Sequence, residues 1–326
     1  MNNFTYTVSP TAKEATAARK ATPAAAFIAG GTTLLDLMKS NIEQPPQLLD
    51  INQIPLKGIE QTSDGLRIGA LERMADVGEH PLVVQQYPAI SQSLLLAASP
   101  QLRNMASIGG NLMQRTRCGY FRDKAFPCNK REPGSGCPAQ DGDNRNLAIL
   151  GTSPQCIATY PGDLAVALVA LDAVVVLENN KGKQRRVPLI DFHLLPGKTP
   201  HVETVIEPDE IITAVLVPAA AHARKSHYLT VRDRASYAFA LVSAAVGLDV
   251  QGGQIKSARV ALGGVGTKPW RVPAVEKLLV GQPANEATFR RAAAAAVQDV
   301  QPREHNRFKV ELTQNTIVRA LLEVSS

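Results

Sequence analysis

Apolar positions along the chain change period several times, and each change marks an element. Residues 24 to 38, AAAFIAGGTTLLDLM, open with a short apolar run, pass through Gly30-Gly31 and continue with Leu34, Leu37 and Met38 at helical spacing. The pattern predicts a buried strand, a glycine turn and an amphipathic helix. QLLDINQI reads as a second strand, and GLRIGALERMADV as another strand leading into a helix. AISQSLLLAA, residues 89 to 98, is helical in pattern and runs into SPQLRNMASIGGNL, which ends in a second glycine turn. From about Thr116 to Cys156 periodicity is lost, and Pro127, Pro133, Gly134, Gly136, Pro138 and Gly142 interrupt a polar stretch. Irregular stretches longer than about 15 residues are uncommon inside compact domains, so something is expected to organise this one.

Regular structure resumes with GDLAVALVALDA, a helix with Leu164, Leu168 and Leu171 at helical spacing, followed by the strand AVVVLE and the extended segment DEIITAVLVP. A polar, Ala-rich link at 219 to 226 separates two regimes. Beyond it, FALVSAAVGLDV and QIKSARVALGGV flank Gly252-Gly253 as a β-hairpin, and ANEATFRRAAAAAVQDV and ELTQNTIVRALLEV are helices by propensity. The expectation is an α+β chain of two domains, 1–221 and 222–326, with no internal repeat.

Composition narrows the class without naming it. Of the 326 residues 44% are hydrophobic and 20% charged, as in ordinary globular domains, and no apolar run approaches the roughly 18 residues of a membrane span. MNNFTYTVSP lacks the features of a secretory or twin-arginine signal, so no export address is expected in this chain. The net charge is +6, and between Arg115 and Arg131 six Lys or Arg residues accompany a single acid, Asp123. A solvated basic face is one explanation and compensation of a nearby anion another. Nucleic-acid binding is not expected, because only Tyr120, Phe121 and Phe126 interleave with the charges. The six histidines are dispersed, His193 earns no role, and no catalytic triad or carboxylate pair stands out.

A glycine pair before a helix lets backbone approach a ligand and offers N–H groups to phosphate oxygens. Gly30-Gly31-Thr32-Thr33 and Ile108-Gly109-Gly110-Asn111 are two such candidates. Neither G-x-G-x-x-G after a strand nor G-x-x-x-x-G-K-[ST] occurs. Taken in order, IAGGTTLLDLM, LRNMASIGGNL, YPGDLAVALVALDA, RDRASYAFALVSAAVGL and ARVALGGVGTKPWR resemble the FAD-binding medium subunits shared by xanthine dehydrogenases, carbon monoxide dehydrogenases and aldehyde oxidoreductases. The resemblance covers nearly the whole chain and is strongest toward the periplasmic aldehyde oxidoreductases.

That resemblance implies a two-subdomain FAD-binding fold of the vanillyl-alcohol-oxidase (PCMH) type, followed by a C-terminal domain of the CO dehydrogenase flavoprotein type. It also implies FAD contacts from Phe27, Ile28, Ala29, Gly30, Gly31, Thr32, Thr33 and Leu34 in a first diphosphate loop. Leu102, Ser107, Ile108, Gly109, Gly110 and Asn111 belong to a second, Asp163 reaches the ribityl hydroxyls, and Ile211 and Ile212 edge the flavin. Thr230 stands where many relatives carry lysine, a departure from the pattern. The implied partners are a molybdenum-cofactor large subunit, a 2Fe-2S small subunit and an external electron acceptor. Periplasmic residence would then require export of the folded complex on a partner's signal; the alternative is cytoplasmic.

Cys118, Cys128, Cys137 and Cys156, the only cysteines, all fall in the irregular stretch. Disulfides suit small secreted domains better than this chain, and structural zinc prefers tighter spacing than gaps of 9, 8 and 18 residues. A four-thiolate iron–sulfur cluster tolerates wide gaps when a loop wraps it. In most of the family a short connection joins the second glycine loop to the flavin aspartate, whereas here an insertion at about 115–157 divides Asn111 from Asp163. Medium subunits of hydroxybenzoyl-CoA reductases carry a 4Fe-4S cluster at this place, so the resemblance implies a 4Fe-4S cluster on the four cysteines. Two rival expectations stand beside it: a hydroxybenzoyl-CoA reductase-like subunit carrying electrons toward molybdenum, and a zinc-binding assembly module without flavin.

Overall fold

The computed structural model describes residues 1–326. Strands β1 (Thr5–Val8), β2 (Ala26–Ile28) and β3 (Gln47–Asp50) form a small parallel sheet in the order β1-β3-β2. Strands β4 (Ile59–Thr62), β5 (Gly65–Gly69), β6 (Val174–Asn179), β7 (Gln184–Pro188) and β8 (Glu210–Pro218) form an antiparallel sheet in the order β4-β5-β8-β6-β7. Strands β9 (Ser226–Val231), β10 (Val242–Gln251), β11 (Gln254–Gly263) and β12 (Trp270–Arg271) form a third sheet, β12-β11-β10-β9. The hairpin at Gly252-Gly253 is tight because both glycines take positive φ, 58° and 78°, which a two-residue turn of this kind demands.

The third sheet separates two cores. On β10 and β11, Ala245 and Ala261 face the largest apolar cluster, which contains Leu164 to Ala170 from the helix Asp163–Ala170 and Leu171 at its end. Val242, Ala244, Val246, Val260 and Leu262 belong instead to the cluster under the C-terminal helix Phe308–Ser325. The period of 2 therefore assigns alternate residues to different cores, and β10 is buried on both faces over its first seven residues. Each large side chain that the C-terminal helix buries there, such as Ile317 and Leu321, contributes about 1.5–3 kcal/mol.

The stretch 116–156 is irregular as expected, with only a short helix Gly119–Arg122 and a 3-10 turn Pro138–Gln140. Its far end joins the C-terminal domain: Ile149 and Leu150 lie in the second core, and both donate their N–H groups to Val265 O. Lys309, fully buried on the C-terminal helix, donates to Leu147 O (3.1 Å) and Gly264 O (2.7 Å). Three local expectations are corrected. Gly109-Gly110 lies inside a short helix, Ile108–Leu112, because Ser107 caps it. The link after residue 219 holds a helical turn, Ala221–Arg224. The Ala-rich segment after residue 284 is an α-helix only over Glu286–Ala293 and then tightens to a 3-10 turn.

Candidate functional site

The first glycine loop links β2 to the helix Leu34–Lys39. Gly31 has φ +70°, a conformation that turns the chain sharply and suits glycine. No protein acceptor takes the backbone N–H groups of Gly30, Gly31, Thr32 and Thr33. These donors border a cavity of about 200 Å³ that is also lined by Phe27, Ser107, Gly110 and Arg115. A Cβ on Gly30 would stand 1.8 Å from the carbonyl oxygen of Met105, so this glycine lets the two loops touch.

The second loop uses its donors internally. Ile108 N–H goes to Glu72 O (2.9 Å), Gly109 N–H to Ala70 O (2.8 Å) and Gly110 N–H to the Ser107 hydroxyl (3.2 Å). Gly109 packs on Ala70, whereas a Cβ on Gly110 would meet only Ser107 Oγ, at 2.9 Å. Ser107 and Gly110 also line a second, more apolar cavity of about 500 Å³, walled by Arg19, Phe27, Ile211 and Ile212. Asn111 keeps a buried Oδ1 without a partner.

Asp163, the first residue of its helix, opens on the largest cavity, about 810 Å³. Tyr228, buried on β9, donates its hydroxyl to Asp163 Oδ1 and leaves Oδ2 free. Burial pushes the Asp163 carboxyl up to about 6, against the pull of the Tyr228 hydrogen bond and of Arg232. Burial and the neighbouring carboxylate raise the Tyr228 phenol well above its ordinary value, so Tyr228 stays a donor. The Ser243 hydroxyl, 1% exposed, faces the same cavity without a partner.

Cys118 lines this cavity too. On its other side Cys118 joins Cys128, Cys137 and Cys156 around a pocket walled by Phe121, Ala139 and Ala158. The four thiols are free, and the space between them, about 10 Å³, holds little more than one water molecule. Burial raises Cys118 to about 11 and Cys156 to about 12, the latter opposed by the nearby Lys130 ammonium. No three His, Cys, Asp or Glu side chains converge as a single metal ion would require. The basic excess around the cysteines is largely paired with distant acids. Arg117 and Arg122 both meet Asp36, Arg115 meets Glu43 and Glu203, and Lys130 meets Glu203 (2.8 Å). Arg131 instead spends its guanidinium on the backbone carbonyls of Tyr120, Phe121, Asp123 and Phe126.

The structure thus brings Phe27 to Leu34, Ser107, Gly109, Gly110, Ile211 and Ile212 to adjoining cavities and gives Asp163 a separate one. Leu102 is half-buried in the helical turn Pro100–Arg103 and lines none of the three, and Ile108 points into the main core. Thr230 sits opposite Ser243 across β9 and β10 but does not reach the cavity. Sequence reasoning passed over Arg19, Tyr228 and Ser243. For Tyr228 a signal was present: two residues before Thr230, it shares that residue's side of the strand. His193 also gains a part. It is buried, burial lowers it to about 4, and its Nε2–H donates to Leu112 O (3.0 Å), bracing the end of the second glycine helix.

Residues 2–220 match the model of the FAD-binding domain in molybdopterin dehydrogenase, and residues 226–324 that of the CO dehydrogenase flavoprotein C-terminal domain. The chain belongs to the FAD-binding medium subunits of the molybdenum hydroxylases, a family of oxidoreductase components. Among its relatives is the aldehyde oxidoreductase FAD-binding subunit PaoB of Escherichia coli, 48% identical over 99% of this chain and 98% of that one. The glyceraldehyde dehydrogenase medium chain of Sulfolobus acidocaldarius is 25% identical over 91% of this chain and 90% of its own. Carbon monoxide dehydrogenase from Hydrogenophaga pseudoflava superposes with a TM-score of 0.78 at 26% identity, covering 99% of this chain and 98% of that chain. No helix is long and apolar enough to cross a membrane. FAD-binding membership leaves no place for the flavin-free assembly module. The cavities fit the cofactor: unclaimed N–H donors suit a diphosphate, the apolar pocket beside them suits a base, and a carboxylate with one free oxygen suits hydroxyls.

Proposed function

We propose that the chain is the FAD- and 4Fe-4S-containing electron-transfer subunit of a heterotrimeric molybdenum aldehyde oxidoreductase. A molybdenum-cofactor large subunit oxidises the aldehyde, a 2Fe-2S small subunit relays the electrons, and an external acceptor receives them through this chain. The observation that carries the proposal is the cavity shared by Asp163 and Cys118, in which one of the four thiols and the buried carboxylate line a single room. The identity with the Escherichia coli subunit over almost the whole of both chains supports an aldehyde as substrate. The same likeness underlies the expectation of a periplasmic complex exported in folded form.

When bound, the flavin supplies two-electron and the cluster one-electron redox chemistry. The residues of this chain bind and orient. Gly30 to Thr33 offer N–H groups to the diphosphate, and Phe27, Ile211 and Ile212 exclude water beside it. Asp163, fixed by Tyr228, accepts from ribityl hydroxyls. Cys118, Cys128, Cys137 and Cys156 would be the cluster ligands, and since burial holds the Cys118 and Cys156 thiols protonated, iron binding there would release protons. With about 10 Å³ between them, the sulfurs would have to spread to hold a cluster. Cys137 has the freedom to yield: it is half-exposed and follows Gly134 and Gly136, both at positive φ with open space around them.

Iron and flavin analysis of the purified complex tests this. The expected result is four iron atoms beyond those of the 2Fe-2S subunit, lost on Cys128→Ser together with part of the flavin. Iron accounted for by 2Fe-2S centres alone, with four titratable thiols in this chain, would remove the cluster and leave the flavin assignment standing.

A further inference from the structure

We propose that Arg19 supplies the positive charge that holds the diphosphate of the bound dinucleotide. The proposal rests on the FAD site described above and adds a residue to it. Arg19 lies in the last turn of the helix Ala12–Ala21, with its guanidinium carbon 5.1 Å from the centre of the Phe27 ring. Its Nε is buried and has no hydrogen-bond partner. No carboxylate pairs with it, although the next residue, Lys20, pairs with Asp209 at 3.1 Å. A guanidinium carries five N–H donors and cannot shed its charge, so a half-buried one without an acid is poised for an anion. Burial unopposed by any acid pulls it below its ordinary value, as expected of a cation lacking its counter-charge.

The position of this cation points to the anion. Arg19 shares a cavity with Phe27, Ser107 and Gly110, and those three residues also line the cavity of the first glycine loop. The two spaces therefore adjoin, and the second is bordered by the unclaimed N–H groups of the loop. The other arginine lining them, Arg115, is already matched by Glu43 and Glu203, and Glu203 is shared with Lys130. Two cations and two carboxylates leave no net charge there. A diphosphate lying on backbone donors alone would keep its two negative charges uncompensated, and Arg19, stacked on Phe27, is the unpaired cation in the adjoining cavity.

The test uses the purified complex stripped of flavin, titrated with FAD and riboflavin by fluorescence quenching and with ADP by competition, at low and high salt. Arg19→Met is expected to weaken FAD and ADP on the order of tenfold and to flatten their salt dependence, with riboflavin affinity unchanged. Arg19→Lys should keep the salt dependence at intermediate affinity, which a packing role over Phe27 would not produce. FAD binding by Arg19→Met equal to the parent, or equal losses for riboflavin and ADP, overturns the proposal. Arg19→Gln, also neutral, must reproduce the Met variant, and it replaces that variant if Met does not fold. Gly110→Val separates the two levels: if it retains FAD, the site itself is wrong; if it loses FAD while Arg19→Met does not, only the role of Arg19 is.

Discussion

Gly30-Gly31 and Gly109-Gly110 are neighbours in the fold and alike in sequence, yet they treat their backbone donors in opposite ways. The first leaves four consecutive N–H groups without a protein acceptor, because its residues belong to neither β2 nor the following helix. The second is drawn into a capped helical turn whose donors go to Glu72, Ala70 and Ser107. Only the first can cradle an anion with its backbone; the second provides a thin wall that the anion lies against. A glycine pair before a helix therefore identifies a place where backbone comes close to something. What it approaches is decided by which N–H groups the rest of the fold has taken.

Substitutions divide the two loops, and the largest effect belongs to Gly30. Any Cβ there collides with the Met105 carbonyl, so Gly30→Val should cost at least about 3 kcal/mol, seen as a large fall in Tm or loss of soluble protein. Gly110→Val should leave the fold in place, at a cost of about 1 kcal/mol from the disturbed Ser107 cap, while flavin content drops severely. Equal Tm losses for the two variants would erase the distinction.

The pH dependence of flavin binding sharpens the contrast between the loops and Asp163. Hydroxyl donors favour the carboxylate, so binding must expel a proton below about pH 6, where the buried carboxyl is protonated. FAD affinity should rise with pH up to about 6 and then level off, and Asp163→Asn should flatten the profile. Tyr228→Phe removes a hydrogen bond that lowers the carboxyl, so its plateau should begin at higher pH. For folding without flavin the sign reverses. The folded carboxyl titrates above the unfolded one, so its ionisation costs stability as pH climbs from the ordinary carboxylate range to about 6. A pH-independent Kd between 5 and 8 would detach Asp163 from the ligand. The smallest effect is expected for Ser107→Ala, about 1 kcal/mol of stability with flavin retained, because the cap serves the helix and not the anion.

Local pattern made much of this readable. The hairpin at Gly252-Gly253 and the helix beginning at Asp163 follow from residues within a few positions of one another. The basic run from Arg115 to Arg131 left its counter-charges open for the complementary reason: its acids, Asp36, Glu43 and Glu203, lie some 70 to 90 residues away in sequence. Arg19 was invisible for a deeper one. What singles it out is that nothing pairs with it, a property of its surroundings that no stretch of sequence displays. The Ala-rich segment after Asn285 shows the limit of propensity, since its alanines favour helix but the backbone tightens at Ala294.

Lys309 binds the fates of two parts that the chain order keeps far apart. If the end of the insertion near Leu147 opened alone, a buried ammonium would lose one of its two carbonyl acceptors and face an apolar interior. Such partial opening is costly, so residues 147–150 are expected to open only when the sheet and helix of the C-terminal domain do. In hydrogen exchange, the amides of Ile149 and Leu150 should therefore share the protection of β10 and β11, slow and cooperative, although they sit at the edge of the most irregular stretch in the molecule.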